Sequence, residues 1–158
     1  MWLVFTIAAF SYITSEKLVS FDPEKKLKDV TTQQVVNQLE RYLHNNSKYS
    51  QATVLHFSTP KCDCQAYSEQ HINEINQLAS DNNFDISNIV ITEHNIIPAT
   101  PAIAIISSLG ELIYFGPYGQ GIACSQTSGY AQTILKNYVK GYISNTLVKE
   151  AKGCYCTT

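Results

Sequence analysis

Between Ala52 and Ser80 the chain reads A-T-V-L-H-F-S-T-P-K-C-D-C-Q-A-Y-S-E-Q-H-I-N-E-I-N-Q-L-A-S. Ala52 to Ser58 is a short β-rich run and predicts a strand. From about Cys64 to Ser80 the apolar residues Tyr67, Ile72, Ile75 and Leu78 recur at helical spacing. Thr59-Pro60-Lys61-Cys62-Asp63-Cys64 therefore lies where a strand ends and a helix begins. A thiol there faces unpaired backbone N–H groups and the positive end of the helix dipole, which favour thiolate over thiol. Lys61 adds a neighbouring cation. Cysteines at i and i+2 in a tight turn can approach closely enough for a disulfide, and so small a ring predicts an easily reduced bond. The bland reading is a pair of small buried hydrophobes.

Outward from this turn, the order is helix, strand, helix, strand, strand, strand, helix. Phe21 to Lys26 reads as a polar linker. Thr31-Thr32-Gln33-Gln34 has the form of a capping box, and Val35, Val36, Leu39, Tyr42 and Leu43 follow at helical spacing until Asn45-Asn46. Asn88 to Glu93 predicts a second strand. Ala102 to Ser107 and Glu111 to Phe115 predict a hairpin joined by Ser108-Leu109-Gly110. A last helix is expected near Gln126 to Ile143, with Tyr130, Ile134, Leu135, Tyr138, Val139 and Tyr142 as its stripe. The fold class is α/β, a mixed sheet flanked by helices, preceded by an N-terminal apolar segment. The expected organisation is an anchor or signal-like segment over 1–20, linker and first helix over 21–48, a core over 49–145, and a Cys-containing tail over 146–158.

A chain of 158 residues that is 44% hydrophobic can bury one real core without staples. Lys+Arg 11 against Asp+Glu 13, a formal charge of -2, excludes a strongly basic nucleic-acid footprint. The first thirteen residues, M-W-L-V-F-T-I-A-A-F-S-Y-I, are apolar apart from Thr6 and Ser11. As helix they span roughly 20 Å, short of the ~30 Å hydrocarbon core. The segment reads as an uncleaved anchor whose start lies upstream, a weak signal peptide, or an ordinary buried segment. The anchor is favoured because Trp2 and Tyr12 suit a membrane interface.

The five cysteines fall at Cys62, Cys64, Cys124, Cys154 and Cys156, two C-x-C pairs and a singleton. An odd count leaves one thiol free or engaged between chains. Cys154 and Cys156 on a terminal tail could shuttle electrons to the first pair through a mixed disulfide. Alternatively, Cys124 and one tail cysteine staple the tail down, or the thiols hold a metal. C-x-C falls outside the usual zinc spacing, so Cu(I) suits them better.

The run T-V-L-H-F-S-T-P-K-C-D-C-Q, followed by a helix and later by Ala99-Thr100-Pro101-Ala102-Ile103 opening a hairpin, resembles the thioredoxin-like superfamily over residues 50–145. More narrowly, Phe-Asp-Pro after an apolar start, F-G-P-Y after the hairpin and a terminal G-C-Y-C resemble a bacterial, membrane-anchored thioredoxin-like family of undefined function. The resemblance implies Cys62 as exposed nucleophile, Cys64 as resolving thiol, and a cis Thr100-Pro101 as the substrate-backbone contact. It further implies no resident cofactor, protein thiols or disulfides as substrates, and a redox partner protein. The implied location is the bacterial inner membrane, with the domain facing the periplasm. Two departures stand out: the usual C-x-x-C has lost a residue, and Lys61 replaces the aromatic before the first cysteine. His56 stands where thioredoxins carry a buried acid, and a histidine can accept a proton near neutrality; a ring satisfied locally is the competing reading. His71 and His94 are weaker candidates. Thiol–disulfide oxidoreduction leads, ahead of a Cu(I) or zinc handling protein and a non-catalytic interaction domain.

Overall fold

The computed structural model describes residues 2–43, 50–121 and 129–158. His44, the Asn45-Asn46 helix stop, Cys124 and the expected start of the last helix at Gln126 lie outside the described residues.

Strand β2 (Thr53–Ser58) forms where the β-rich run predicts it. It pairs in parallel with β3 (Asp85–Val90) and antiparallel with β5 (Ala102–Ile106). β5 turns back into β6 (Leu112–Pro117), and β6 takes a short parallel partner, β7 (Thr146–Leu147). The result is a five-stranded mixed sheet in the order β3-β2-β5-β6-β7. Every residue of β5 and β6 is buried, as expected of central strands covered on both faces. Ser107 N–H donates to Glu111 O across the hairpin turn at 2.8 Å, and Gly110, at φ 79°, supplies the left-handed residue the turn needs.

The side chains of β2 divide the core by simple alternation. Leu55 and Phe57 face helix α2 (Thr32–Leu39), packing with Val35, Val36 and Leu39. Val54 faces the other way, toward Ile75 and Ala79 of α3 (Glu69–Asp81) and Ala131 and Leu135 of α4 (Tyr130–Val139). The capping box opens α2: Thr31 N–H donates to Gln34 Oε1 at 2.8 Å, and Gln34 N–H donates back to Thr31 Oγ1 at 3.3 Å.

Three expectations are corrected. The second strand is Asp85–Val90, not Asn88 to Glu93, because its register is set by the six residues of β2, from Thr53↔Asp85 to Ser58↔Val90. Helix α4 stops four residues before Ile143. Gly141 (φ 90°) closes a Schellman motif in which its N–H reaches Tyr138 O and the N–H of Tyr142 reaches Asn137 O. The stretch after residue 20 is not a polar linker: Phe21 is fully buried, and the Asp22 carboxylate accepts from the N–H groups of Lys26 (2.8 Å) and Leu27 (2.7 Å).

The apolar start forms helix α1 (Trp2–Lys17), with Trp2, Leu3, Val4, Phe5 and Ile7 all exposed. Its 16 residues rise roughly 24 Å. Among the described residues no helix is long and apolar enough to cross a membrane. After α1, β1 (Val19–Ser20) pairs antiparallel with β8 (Lys152–Gly153) in the tail, and β4 (Ala99–Thr100) pairs antiparallel with β9 (Cys156–Thr157) at the end of the chain.

Candidate functional site

The site is built where β2 ends. Lys61 takes φ 61° to turn the chain, and Cys62 (φ -83°, ψ 104°) is the extended residue that opens a helical run. That run is 3₁₀ over Asp63–Ser68 and α over Glu69–Asp81, so the expected helix exists but its first turns are tightly wound. Cys62 and Cys64 are each only 9% exposed.

Opposite them stands Pro101, and the Thr100-Pro101 bond is cis, as expected. The Thr100 carbonyl oxygen lies 3.7 Å from the Cys62 sulfur. The hydroxyls of Thr59 and Thr100 hydrogen-bond at 2.8 Å, tying the turn after β2 to the strand before the proline. Cys62, Thr100 and Pro101 are thus brought to one place.

The cysteines of the first pair do not bond to each other. Cys62 is joined to Cys156 and Cys64 to Cys154, with Cα separations of 6.0 and 5.4 Å. Both separations fall in the ordinary disulfide window. The small Cys62–Cys64 ring expected from the sequence is replaced by two cross-links between motifs. The physical reason is the approach of the tail. Thr100 and Ala99 pair with Cys156 and Thr157, and this antiparallel strand carries the second motif alongside the first. The cross-links follow antiparallel order, the earlier residue of one motif with the later residue of the other. Each tail cysteine is bonded to a cysteine of the first motif, and Cys124, the alternative partner in the staple reading, lies outside the described residues.

The tail is not a free arm either. Cys154 N–H donates to Gly121 O at 3.3 Å and Thr158 N–H to Pro98 O at 3.1 Å. Lys26 Nζ donates to Thr158 O at 2.6 Å. Between the two cysteines, Tyr155 turns inward, 7% exposed, its ring edge-on to Phe21 at 5.4 Å and its hydroxyl donating to Gly119 O at 2.6 Å. In the sequence Tyr155 stands only as the spacer of the terminal G-C-Y-C. Its signal was there: in an extended C-Y-C the two sulfurs share one face and the tyrosine takes the other.

His56 does not serve the sulfurs. Its Nδ1 lies 2.5 Å from the Tyr118 hydroxyl and its Nε2 2.8 Å from Asn76 Oδ1, so both ring nitrogens are engaged. Burial pushes its pKa down, against the opposing pull of the Asn76 bond. The ring ties β2 to α3 and to the segment after β6, which is the locally satisfied reading. His94 is also buried, with Arg41 Nη2 2.5 Å from its Nε2, and its pKa is pushed down to about 4 by burial, then by the charges of Arg41 and Lys26. His71 is buried on α3.

The three sulfurs of Cys62, Cys64 and Cys156 all lie within 4.8 Å of one another. Chemically, the cluster can exchange disulfides or, when reduced, offer soft thiolate ligands. Comparison with curated proteins and with solved structures gives no match. Residues 28–158, from just after the first buried turn through the tail cysteines, match the family described as "Domain of unknown function (DUF6436)", and the chain belongs to that family.

Proposed function

We propose that the protein is a thioredoxin-like thiol–disulfide oxidoreductase in which Cys62 is the nucleophile and the tail cysteines are its partners within the chain. The observation that carries this reading is Cys156, seated as a strand against Thr100 beside the cis proline, with its sulfur bonded to Cys62. That is the arrangement of a mixed disulfide in which a polypeptide segment lies across the site. In the reduced chain, the Cys62 thiolate attacks a protein disulfide. One S–S bond forms to Cys62, the substrate's own S–S bond breaks, and the released sulfur takes up a proton. The thiolate of Cys156 then attacks the Cys62 sulfur, the second substrate sulfur leaves with a proton, and Cys62–Cys156 remains oxidised. Cys64 and Cys154 form the second couple. The reverse sequence oxidises a substrate dithiol.

The reading extends to place. Exposed apolar residues along α1, Trp2, Leu3, Phe5 and Ile7, suit a lipid surface better than water. We assign the domain to the bacterial envelope, held at the inner membrane and facing the periplasm, where protein thiols and a redox partner meet.

The test is trapping. Cys156→Ser leaves Cys62 without its resolving partner, so partner proteins should accumulate on it as mixed disulfides that a reductant releases. Cys62→Ser should accumulate none at this position. Equal trapping by both variants would show that the roles are assigned wrongly.

A further inference from the structure

We propose that the same cluster, once reduced, is a three-thiolate site for a single monovalent copper ion, formed by Cys62, Cys64 and Cys156. Their Sγ atoms already lie within 4.8 Å of one another. Three sulfurs around one ion at bond lengths of about 2.3 Å stand about 4 Å apart. The Cys62–Cys156 pair, bonded in the oxidised chain, opens to that separation by side-chain rotation, since a Cα separation of 6.0 Å accommodates both. The backbone carrying the ligands is positioned by β9 pairing with β4 and by the start of the helical run, contacts that are not themselves disulfides.

Ligand number and type select the ion. Among the described residues, the cluster contains no histidine nitrogen and no carboxylate. Cys154, although bonded to Cys64, is not among the three mutually close sulfurs. Zinc sites of structural type fill four positions, whereas soft thiolates in lower number suit Cu(I). Cys62 and Cys64 are nearly buried and Cys156 is half-buried, so the site is partly screened from water.

The chemistry balances. Two equivalents of a dithiol reductant deliver four electrons and four protons to the two disulfides, leaving four thiols. Cu(I) then displaces the protons of three of them and stays monovalent, so metal uptake releases protons. When a disulfide oxidant takes the four electrons back, the ligands become disulfides again and the ion leaves. Metal and disulfide therefore exclude one another at these sulfurs. The site rests on the position of the sulfurs alone and holds whether or not they exchange with a substrate.

The test uses the full chain, reduced without oxygen, freed of reductant and titrated with Cu(I) against a coloured Cu(I) chelator. The reduced protein is expected to bind one Cu(I) with an all-sulfur shell of three by X-ray absorption, while the oxidised protein binds none. Cys154→Ser and Cys124→Ser should keep the ion. Cys62→Ser, Cys64→Ser and Cys156→Ser should each weaken it by at least the ~10–100-fold typical of losing even an outer-shell partner. The comparison of reduced with oxidised wild type needs no variant to fold, and equal copper in the two states overturns the proposal. So does loss on Cys154→Ser as large as on Cys156→Ser, or a four-sulfur site that takes Zn²⁺ in preference.

Discussion

Thr100 pairs with Cys156 across an antiparallel strand, and its carbonyl oxygen lies 3.7 Å from the Cys62 sulfur to which Cys156 is bonded. Backbone pairing and covalent bond thus meet at one point, and the tail is held there by two different kinds of interaction. Breaking either should loosen the other, because the strand presents the sulfur and the sulfur anchors the strand.

Tyr155 is the lever on this coupling. Tyr155→Phe removes the hydrogen bond to Gly119 O and should cost about 1 kcal/mol. Tyr155→Ala also removes the packing on Phe21 and should cost about 3–5 kcal/mol. Denaturant unfolding checks the stabilities. Stopped-flow reduction by a small dithiol should accelerate in the same order, wild type slowest and alanine fastest. Identical reduction rates in all three would separate tail docking from disulfide access.

Gly153 is constrained by the same ring. A Cβ there would meet the Tyr155 Cζ and hydroxyl at 2.7 Å and the Gly121 carbonyl oxygen at 3.1 Å. Gly153→Ala should therefore destabilise by about 1–3 kcal/mol, the range for forcing extra atoms into a packed site. It should also raise the susceptibility of residues 150–158 to proteolysis in reduced protein. An alanine variant as stable as wild type would mean the ring has another place to go.

Acid should weaken the fold before the carboxylates titrate. His94, with its pKa held at about 4, and His56, shifted down by burial, are neutral in the folded chain. In the unfolded chain a histidine titrates near ~6.5 and binds the proton the folded chain refuses. The contribution of His94 is complete above that value and is lost as the pH falls toward 4, and that of His56 is lost in the same direction. Tm should drop between pH 7 and pH 5, and His94→Gln should flatten the slope without abolishing it, since His56 acts with the same sign. A Tm that rises on acidification over this range would contradict the neutral assignment.

The parts of the fold that were legible in the sequence are those whose cause is local. The strand at 53–58, the capping box at Thr31 and Gln34 and the hairpin at Gly110 follow from neighbouring residues, whereas the cis bond before Pro101 was expected only from the family resemblance. The register of β3, the burial of Phe21 and the seat of the tail depend on partners distant in sequence: Thr53, Ala151 and Thr100. Ordinary spacing rules point each C-x-C inward, toward its own partner. What joins Cys62 to Cys156 is a strand only two residues long, far too short to announce itself by periodicity. The matching spacing of the two motifs was the one available sign, since an antiparallel approach pairs i with j and i+2 with j-2. His56 illustrates the opposite error, a residue that looks chemical by position and is structural by contact.

Exchange, rather than stapling, is what the proposed function requires of the cross-motif disulfides. It is tested most directly by equilibrating the full chain with thiol–disulfide buffers of stepped potential and mapping each cross-link by mass spectrometry of unreduced peptides. Cys62–Cys156 and Cys64–Cys154 should be the oxidised pairs, with Cys62–Cys156 reducing reversibly in the range of exchanging protein dithiols, roughly -120 to -270 mV. Pairing within each motif, or cross-links that resist reduction below about -300 mV as structural disulfides do, would contradict it.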